Sequence, residues 1–401
     1  MTSVWRTTGW VLLGASLILA LSLGIRHGFG LFLAPMSSEF GWGREVFAFA
    51  IALQNLIWGL AQPFTGALAD RFGAAKTVIV GGVLYALGLG LMGFSDSALS
   101  LSLSAGLLIG IGLSGTSFSV ILGVVGRAVP VEKRSMAMGI AAAAGSFGQF
   151  AMLPGTLGLI SWLGWSSALL ALGLLVALIV PLTGLLKDNP PPPQAHEQSL
   201  VEALREATGH SGFWLLALGF FVCGFQVVFI GVHLPAYLVD QHLPASVGTT
   251  VLALVGLFNV FGTYIAGWLG GRHAKPKLLT ALYLLRGVVI VAFVYLPLST
   301  WSAYAFGMAM GLLWLSTVPL TNGTVATLFG VRNLSMLGGI VFLFHQLGAF
   351  LGGWLGGYLY DHTGSYELVW QISIFLSLVA AVLNWPVREQ PVARLQPVAA
   401  A

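Results

Sequence analysis

This chain is short of charge. Of its 401 residues, Asp, Glu, Lys and Arg supply 7%, where a soluble domain carries about 25%. A water-soluble globule so poor in charge would expose large apolar patches and aggregate. Soluble enzymes, nucleic-acid binders and disordered chains are therefore excluded as classes. Cysteine is almost missing too. The single Cys223 rules out an internal disulfide, a CxxC redox pair and a Cys-rich metal site, and it reads as a small apolar residue in a helix. No phosphate-binding loop, zinc-ligand spacing or nucleophile elbow stands in a workable context, so no catalytic residue, metal or cofactor is expected. Acid is absent from one region in particular. All 13 Asp and Glu fall in loops or near the ends of apolar runs, none deep within one.

What is present is apolar surface. Hydrophobic residues make up 57% of the chain and glycine contributes 53 residues, with a mean hydropathy of +0.91. Glycine is commoner in membrane helices than in soluble ones. A spanning helix needs about 20 apolar residues. Apolar windows bounded by charge or Pro/Gly clusters predict twelve: 9–34, 45–69, 76–95, 99–127, 135–160, 165–186, 212–238, 247–271, 276–298, 301–329, 334–360 and 365–386. The first run is too long for a signal-peptide core. After the sixth, Lys187-Asp188-Asn189 leads into four prolines, a stiff extended segment. The polar stretch with Glu197, Glu202, Arg205 and Glu206 then suits a short surface helix. The expected organisation is an N-terminal six-helix half over 1–187, a cytoplasmic linker over 188–211 and a C-terminal six-helix half over 212–401.

Charge placement sets the expected orientation. With the N-terminus inside, the cytoplasmic segments hold Arg6, Arg71, Lys76, Arg127, Lys133, Arg134, Lys187, Arg205, Arg272, Lys275, Lys277, Arg332, Arg388 and Arg394, 14 residues against Arg44 alone on the opposite face. This bias predicts N-in, C-in topology. It also accounts for the net charge of +4 without a nucleic-acid partner. The two halves resemble each other at an offset of about 200 residues. Gly66-Ala67-Leu68-Ala69-Asp70-Arg71-Phe72-Gly73-Ala74-Ala75-Lys76 has a degenerate copy in Gly267-Trp268-Leu269-Gly270-Gly271-Arg272-His273-Ala274-Lys275-Pro276-Lys277. Ser135-Met136-Ala137-Met138-Gly139-Ile140 is matched by Ser335-Met336-Leu337-Gly338-Gly339-Ile340. Matching halves of the same topology form a parallel repeat about an axis along the membrane normal, with a substrate site between them near the midplane.

The motif at the 2–3 loop, its copy at the 8–9 loop and the six-plus-six layout resemble the major facilitator superfamily over nearly the whole chain. The resemblance implies an all-α membrane protein of twelve transmembrane helices in two pseudo-symmetric halves. It also implies a loop-borne Asp–Arg cluster that latches the cytoplasmic side of the outward-open state, matched here by Asp70 and Arg71. Gly271 replaces the Asp in the second copy, so a second latch is expected to be weak or absent. Within the superfamily, Arg26-His27-Gly28-Phe29-Gly30-Leu31-Phe32-Leu33-Ala34-Pro35 followed by Glu39-Phe40-Gly41-Trp42 is similar to the bacterial branch related to monocarboxylate transporters and oxalate–formate antiporters. That resemblance implies a first-helix cation at or beside Arg26 and His27. The chain departs from those relatives in the eighth helix, where they carry a substrate-binding arginine and this sequence reads Leu257-Phe258-Asn259-Val260-Phe261-Gly262-Thr263. The antiporters' eleventh-helix lysine is absent as well, although His345 lies in that helix.

An ionisable group inside the membrane is costly and so marks a candidate functional site. Arg26 and Arg286 lie within spans, as do His27 and His345, with His233 near the outer end of the seventh. Cation and drug/proton antiporters need an embedded carboxylate, and none is present. An anionic substrate would supply the missing negative charge, and the planar guanidinium fork matches a carboxylate. Arg26, in a stretch with Gly24, Gly28 and Gly30 that permits close approach, is the expected anchor. His345, Asn259, Arg286, Gln54 and Trp314 are the further substrate-binding candidates. His345 and His27 are candidates for carrying a proton, and Asp70, Arg71 and His233 for gating. Each has a bland alternative: snorkelling, an interhelical hydrogen bond or aromatic packing. The expected protein is a monomeric secondary transporter of a small organic anion, a monocarboxylate by preference, in a bacterial cytoplasmic membrane. It would work by alternating access, as proton symport or anion exchange. Its partners would be the anion, protons and the lipid bilayer. The rival readings are efflux of amphipathic drugs by the same fold and a transporter-like receptor that transports nothing.

Overall fold

A computed structural model describes residues 2–42, 44–186 and 198–395. Lys187 and the proline-rich part of the expected linker, 188–197, lie outside them. The described residues are helical nearly throughout and contain no strand. The long helices are α1 (Thr2–His27), α2 (Arg44–Phe72), α3 (Ala74–Met92), α4 (Ala98–Ala128), α5 (131–163) and α6 (165–185). They continue as α7 (Ser211–Asp240), α8 (Ala245–Gly270), α9 (Lys275–Tyr295), α10 (Thr300–Phe329), α11 (Leu334–Thr363) and α12 (Glu367–Asn384). Among the described residues, ten helices are long and apolar enough to cross a membrane. One of these, Val131–Leu185, is α5 and α6 joined at Gly164. Its φ of +77° is a conformation that suits a residue without Cβ. Helix α2 is diluted by Gln54, Asn55 and Gln62 and completes the twelve. In the expected linker, a helix runs over Leu200–Thr208, capped by Ser199 and Glu202 in a reciprocal box.

Glycine permits the closest helix contacts. Helix α1 packs on α5 and α7 on α11, each within its own six-helix group. Between the groups, α2 packs on α11 and α5 on α8. A Cβ on Gly139 of α5 would stand 2.7 Å from the Cα of Gly267 on α8, so the two backbones touch. Gly66 of α2 meets the backbone of Ser335 on α11 in the same way. Hydrogen bonds join the groups along this seam. Near its middle, Asn259 Nδ2 donates to Ser146 Oγ (2.9 Å) and Gln346 Nε2 to the Asn55 carbonyl (3.3 Å). At its end lie the contacts of Asp70. That end also gathers Arg127, Arg272 and Arg332 and is called the basic face below.

The internal repeat is visible in three dimensions at an offset of 201. Ser22 Oγ meets Thr116 Oγ1 at 2.8 Å, and Cys223 Sγ meets Thr317 Oγ1 at 3.2 Å. Two apolar crevices on the outer surface are lined by Thr65, Leu68, Leu84 and Gly115 in one half and by Ala266, Leu269, Leu285 and Ser316 in the other. Helices α4 and α10 are each interrupted, α4 at Ser117 and α10 over residues 314–316. An interrupted helix leaves carbonyls and amides that need partners. In α4, Gln62 Nε2 and Thr65 Oγ1 donate to the Ser114 carbonyl, and Trp58 Nε1 donates to Ser117 Oγ.

Candidate functional site

A cavity of about 300 Å³ lies between the two six-helix groups. Its walls come from α1, α2, α4 and α5 on one side and α7, α10 and α11 on the other. Polar side chains face it in two clusters, around Arg26 and around His345. Aromatic residues, among them Trp58, Phe118, Phe220, Trp314 and Phe342, share the rest of the wall with aliphatic side chains such as Leu23, Val228 and Val318. Among the described residues, no acidic side chain lines it.

Arg26 is held in this wall. One terminal nitrogen donates to Asn55 Oδ1, and the guanidinium lies 4.9 Å from the centre of the Trp58 ring, within cation–π range. Both contacts come from α2, and Trp58 is itself fixed by hydrogen bonds to Gln62 and Ser117. The Arg26 Nε has no partner. A half-buried guanidinium held only by neutral groups has donors left for an anion. His27 lines the same cavity, at the end of α1 where the chain passes into a narrower helical turn over Gly28–Phe32.

His345 approaches from α11. Its Nδ1 pairs with Gln346 Oε1 at 3.2 Å, and its ring stacks on Phe342 and lies 4.7 Å from Phe220. Its Nε2 has no hydrogen-bond partner. With Nδ1 donating to Gln346, Nε2 is the acceptor nitrogen of the ring. Gln54 and Trp314 also line the cavity. Gln54 Nε2 is spent on the Ala105 carbonyl (2.7 Å), while its Oε1 is unpartnered.

Other sequence candidates stand elsewhere. Arg286 is fully buried and does not line the cavity. Its guanidinium caps the interruption of α10, with Nε 3.0 Å from the Leu313 carbonyl and further bonds to Leu313 and Trp314 oxygens. It is therefore corrected from a ligand to a backbone clamp. Asn259 is corrected too. Its Oδ1 accepts from the Leu315 amide at 3.0 Å while its Nδ2 donates to Ser146, so its hydrogen-bonding groups are committed outside the cavity. His233 bonds the Gly353 carbonyl (2.8 Å) and Tyr366 (3.4 Å). Those contacts stay within the second half and place it at no junction between halves. Arg71 is exposed, against the Phe72 ring. The cation that meets Asp70 is instead Arg127, 2.6 Å away, with both side chains almost wholly buried. Asp70 also accepts from the amides of Ser335 (3.2 Å) and Met336 (2.8 Å) at the start of α11. A helix N-terminus is a natural seat for a carboxylate. Burial nonetheless pushes the Asp70 carboxyl up to about 6, with Arg127 and the hydrogen bonds offsetting only part of that. Asn55, Gln149 and Gln346, uncharged polar residues of α2, α5 and α11, also line the cavity. Arg127 enters the sequence reading only through the charge bias.

Known proteins are similar to this chain as a whole. The Major Facilitator Superfamily profile matches residues 12–330. Human monocarboxylate transporter 11 is 29% identical over 384 residues, 91% of this chain and 80% of its own length. The mouse protein of the same name is 30% identical over 90% of this chain and 83% of its own. An uncharacterized MFS-type transporter of Bacillus subtilis, YcxA, is 25% identical over 94% of each. Among solved structures, a major facilitator transporter, FucP, in the outward conformation superposes with a TM-score of 0.73 at 16% identity, covering 93% of this chain and 97% of that one.

Proposed function

The chain belongs to the major facilitator superfamily and is a multi-pass membrane transporter, and from that premise we propose that its cargo is a small monocarboxylate. One observation carries this reading: the cavity between the halves is lined by the Arg26 guanidinium, which only neutral groups hold, and by no acidic residue among those described. The monocarboxylate transporters among its relatives support the same class. The substrate carboxylate pairs with Arg26, and its short organic part lies against Trp58, Trp314 and Phe342. Charge neutralisation at Arg26 removes the cost of holding an unpaired cation in a low-dielectric site.

In the arrangement seen here the halves meet at the basic face. On the proposed N-in orientation, that is the cytoplasmic side of a bacterial inner membrane. Asp70 and Arg127 act there as the latch, tying α2 and α4 to the start of α11. Transport follows when the halves rock about the cavity and this latch releases. Coupling is read as proton symport, with the free Nε2 of His345 taking the proton; anion exchange is the alternative.

Counterflow tests the reading. Proteoliposomes loaded with unlabelled lactate, pyruvate or formate are followed for entry of labelled lactate, with Arg26→Ala and Arg26→Lys in parallel. Exchange in the parent, lost in Arg26→Ala and partly kept in Arg26→Lys, is expected. Folded, monodisperse protein that exchanges none of these acids would overturn the monocarboxylate assignment.

A further inference from the structure

The interruption of α10 over residues 314–316 frees backbone groups in the middle of the protein. Trp314, Leu315 and Val318 of this stretch form part of the cavity wall. The freed carbonyls of Leu313 and Trp314 are both taken by Arg286 of α9. The remaining arm of Arg286 reaches Gln226 Oε1 at 3.3 Å, and Gln226 is anchored in turn on Ser373 and Ser377 of α12. The freed amide of Leu315 is taken by Asn259, which also holds Ser146 of the other half. No carboxylate bonds this cation. Its charge instead sits at the C-terminal, negative pole of the half-helix Thr300–Leu313.

The first half handles its own interruption differently. In α4 the donors to the freed Ser114 carbonyl are neutral, Gln62 and Thr65. At the position 201 residues before Arg286 stands Tyr85, bonded to the Ser22 carbonyl on α1. The charged clamp is therefore a feature of the second half alone.

We propose that Arg286 is a positioning residue of the transport site: it fixes the interrupted backbone of α10, and through it holds Trp314 against the substrate. It touches no substrate itself. The placement of α10 stands on geometry alone, and only the transport consequence rests on the monocarboxylate reading above.

The chain's single cysteine is a built-in reporter. Cys223 is fully buried, with its sulfur 3.2 Å from Thr317 Oγ1 and 3.9 Å from the Trp314 carbonyl. Alkylation of Cys223 by a small membrane-permeant maleimide is measured in the parent, Arg286→Lys and Arg286→Gln. A second set carries Cys223→Ser and Ser22→Cys, the equivalent position of the first half. Removing the clamp leaves buried carbonyls short of donors, so labelling of Cys223 in Arg286→Gln is expected to rise about tenfold or more. Labelling at Ser22→Cys should stay unchanged, and Arg286→Lys should fall between. Counterflow with labelled lactate adds a second readout, a raised half-saturating concentration with maximal exchange largely kept. Unchanged Cys223 labelling in both variants would overturn the proposal, as would an equal rise at both positions, which reports general loosening. If Arg286→Gln does not fold, the same criteria apply to Arg286→Lys. Because the labelling needs no substrate, a wrong cargo assignment would leave its result intact.

Discussion

Replacing Asp70 by Ala should open the basic face. The carboxylate receives three donors: Arg127 Nη1 at 2.6 Å, the Ser335 amide at 3.2 Å and the Met336 amide at 2.8 Å. Its side chain is 1% exposed and that of Arg127 is 4% exposed, so solvent screens little of the interaction. When the halves separate, the two amides of α11 gain water. When they remain together in the variant, those amides stay buried without an acceptor. An unsatisfied buried donor costs about 1–3 kcal/mol. Allowing for water in part of the vacated space and for relief of the carboxylate's own burial, the joined arrangement loses about 1–2 kcal/mol relative to the separated one. That shifts the equilibrium by about 5-fold to 30-fold. Spin labels at Lys76→Cys and Lys277→Cys, in a Cys223→Ser background, report the separation across the face; both positions are exposed and related by the repeat. The parent should give one short distance, and Asp70→Ala a second, longer population. A distance distribution identical to the parent's, in folded protein, would refute the reasoning.

Acidity should act on the same latch in the opposite sense. Asp70 in the joined arrangement titrates near 6, against 3.8 for a solvated carboxylate. The joined state thus binds a proton more readily, and lowering the pH from 6 toward 4 favours it, by at most about tenfold per unit. The same label pair read across that range checks this, and Asp70→Asn should abolish the dependence. Gly139→Val is expected to wedge α5 from α8, since a Cβ there already meets Gly267 at 2.7 Å. Cross-linking of cysteines placed at the α5–α8 seam should fall sharply, and efficient cross-linking in the variant would count against backbone contact. His345→Gln keeps a polar group beside Gln346 but removes the titrating ring. Uptake driven by a pH gradient should be lost while lactate counterflow persists; pH-driven uptake at the parent rate would remove His345 from coupling.

The sequence by itself determined the number of helices and most of the membrane class. Run length, charge content and a 14-to-1 basic asymmetry are local quantities, and each survives whatever the helices do to one another. The repeat was legible for the same reason, because matched residues stay matched after folding. Arg26 was legible as a candidate, a cation in an apolar glycine-rich run, and the structure puts it in the cavity wall. The tertiary structure decided which polar side chains face the cavity. Arg286 and Asn259 looked like ligands because each sits mid-helix without an obvious partner. Their partners are backbone groups freed where α10 breaks, at Trp314-Leu315-Ser316, a break that Pro319 favours by barring a helical bond to the Leu315 carbonyl. Arg127 lies 57 residues from Asp70, and only the packing of α4 against α2 brings the two together. Helix rotation and a local break each redirect a hydrogen bond without changing the hydrophobic pattern, so chain order alone could not reveal them.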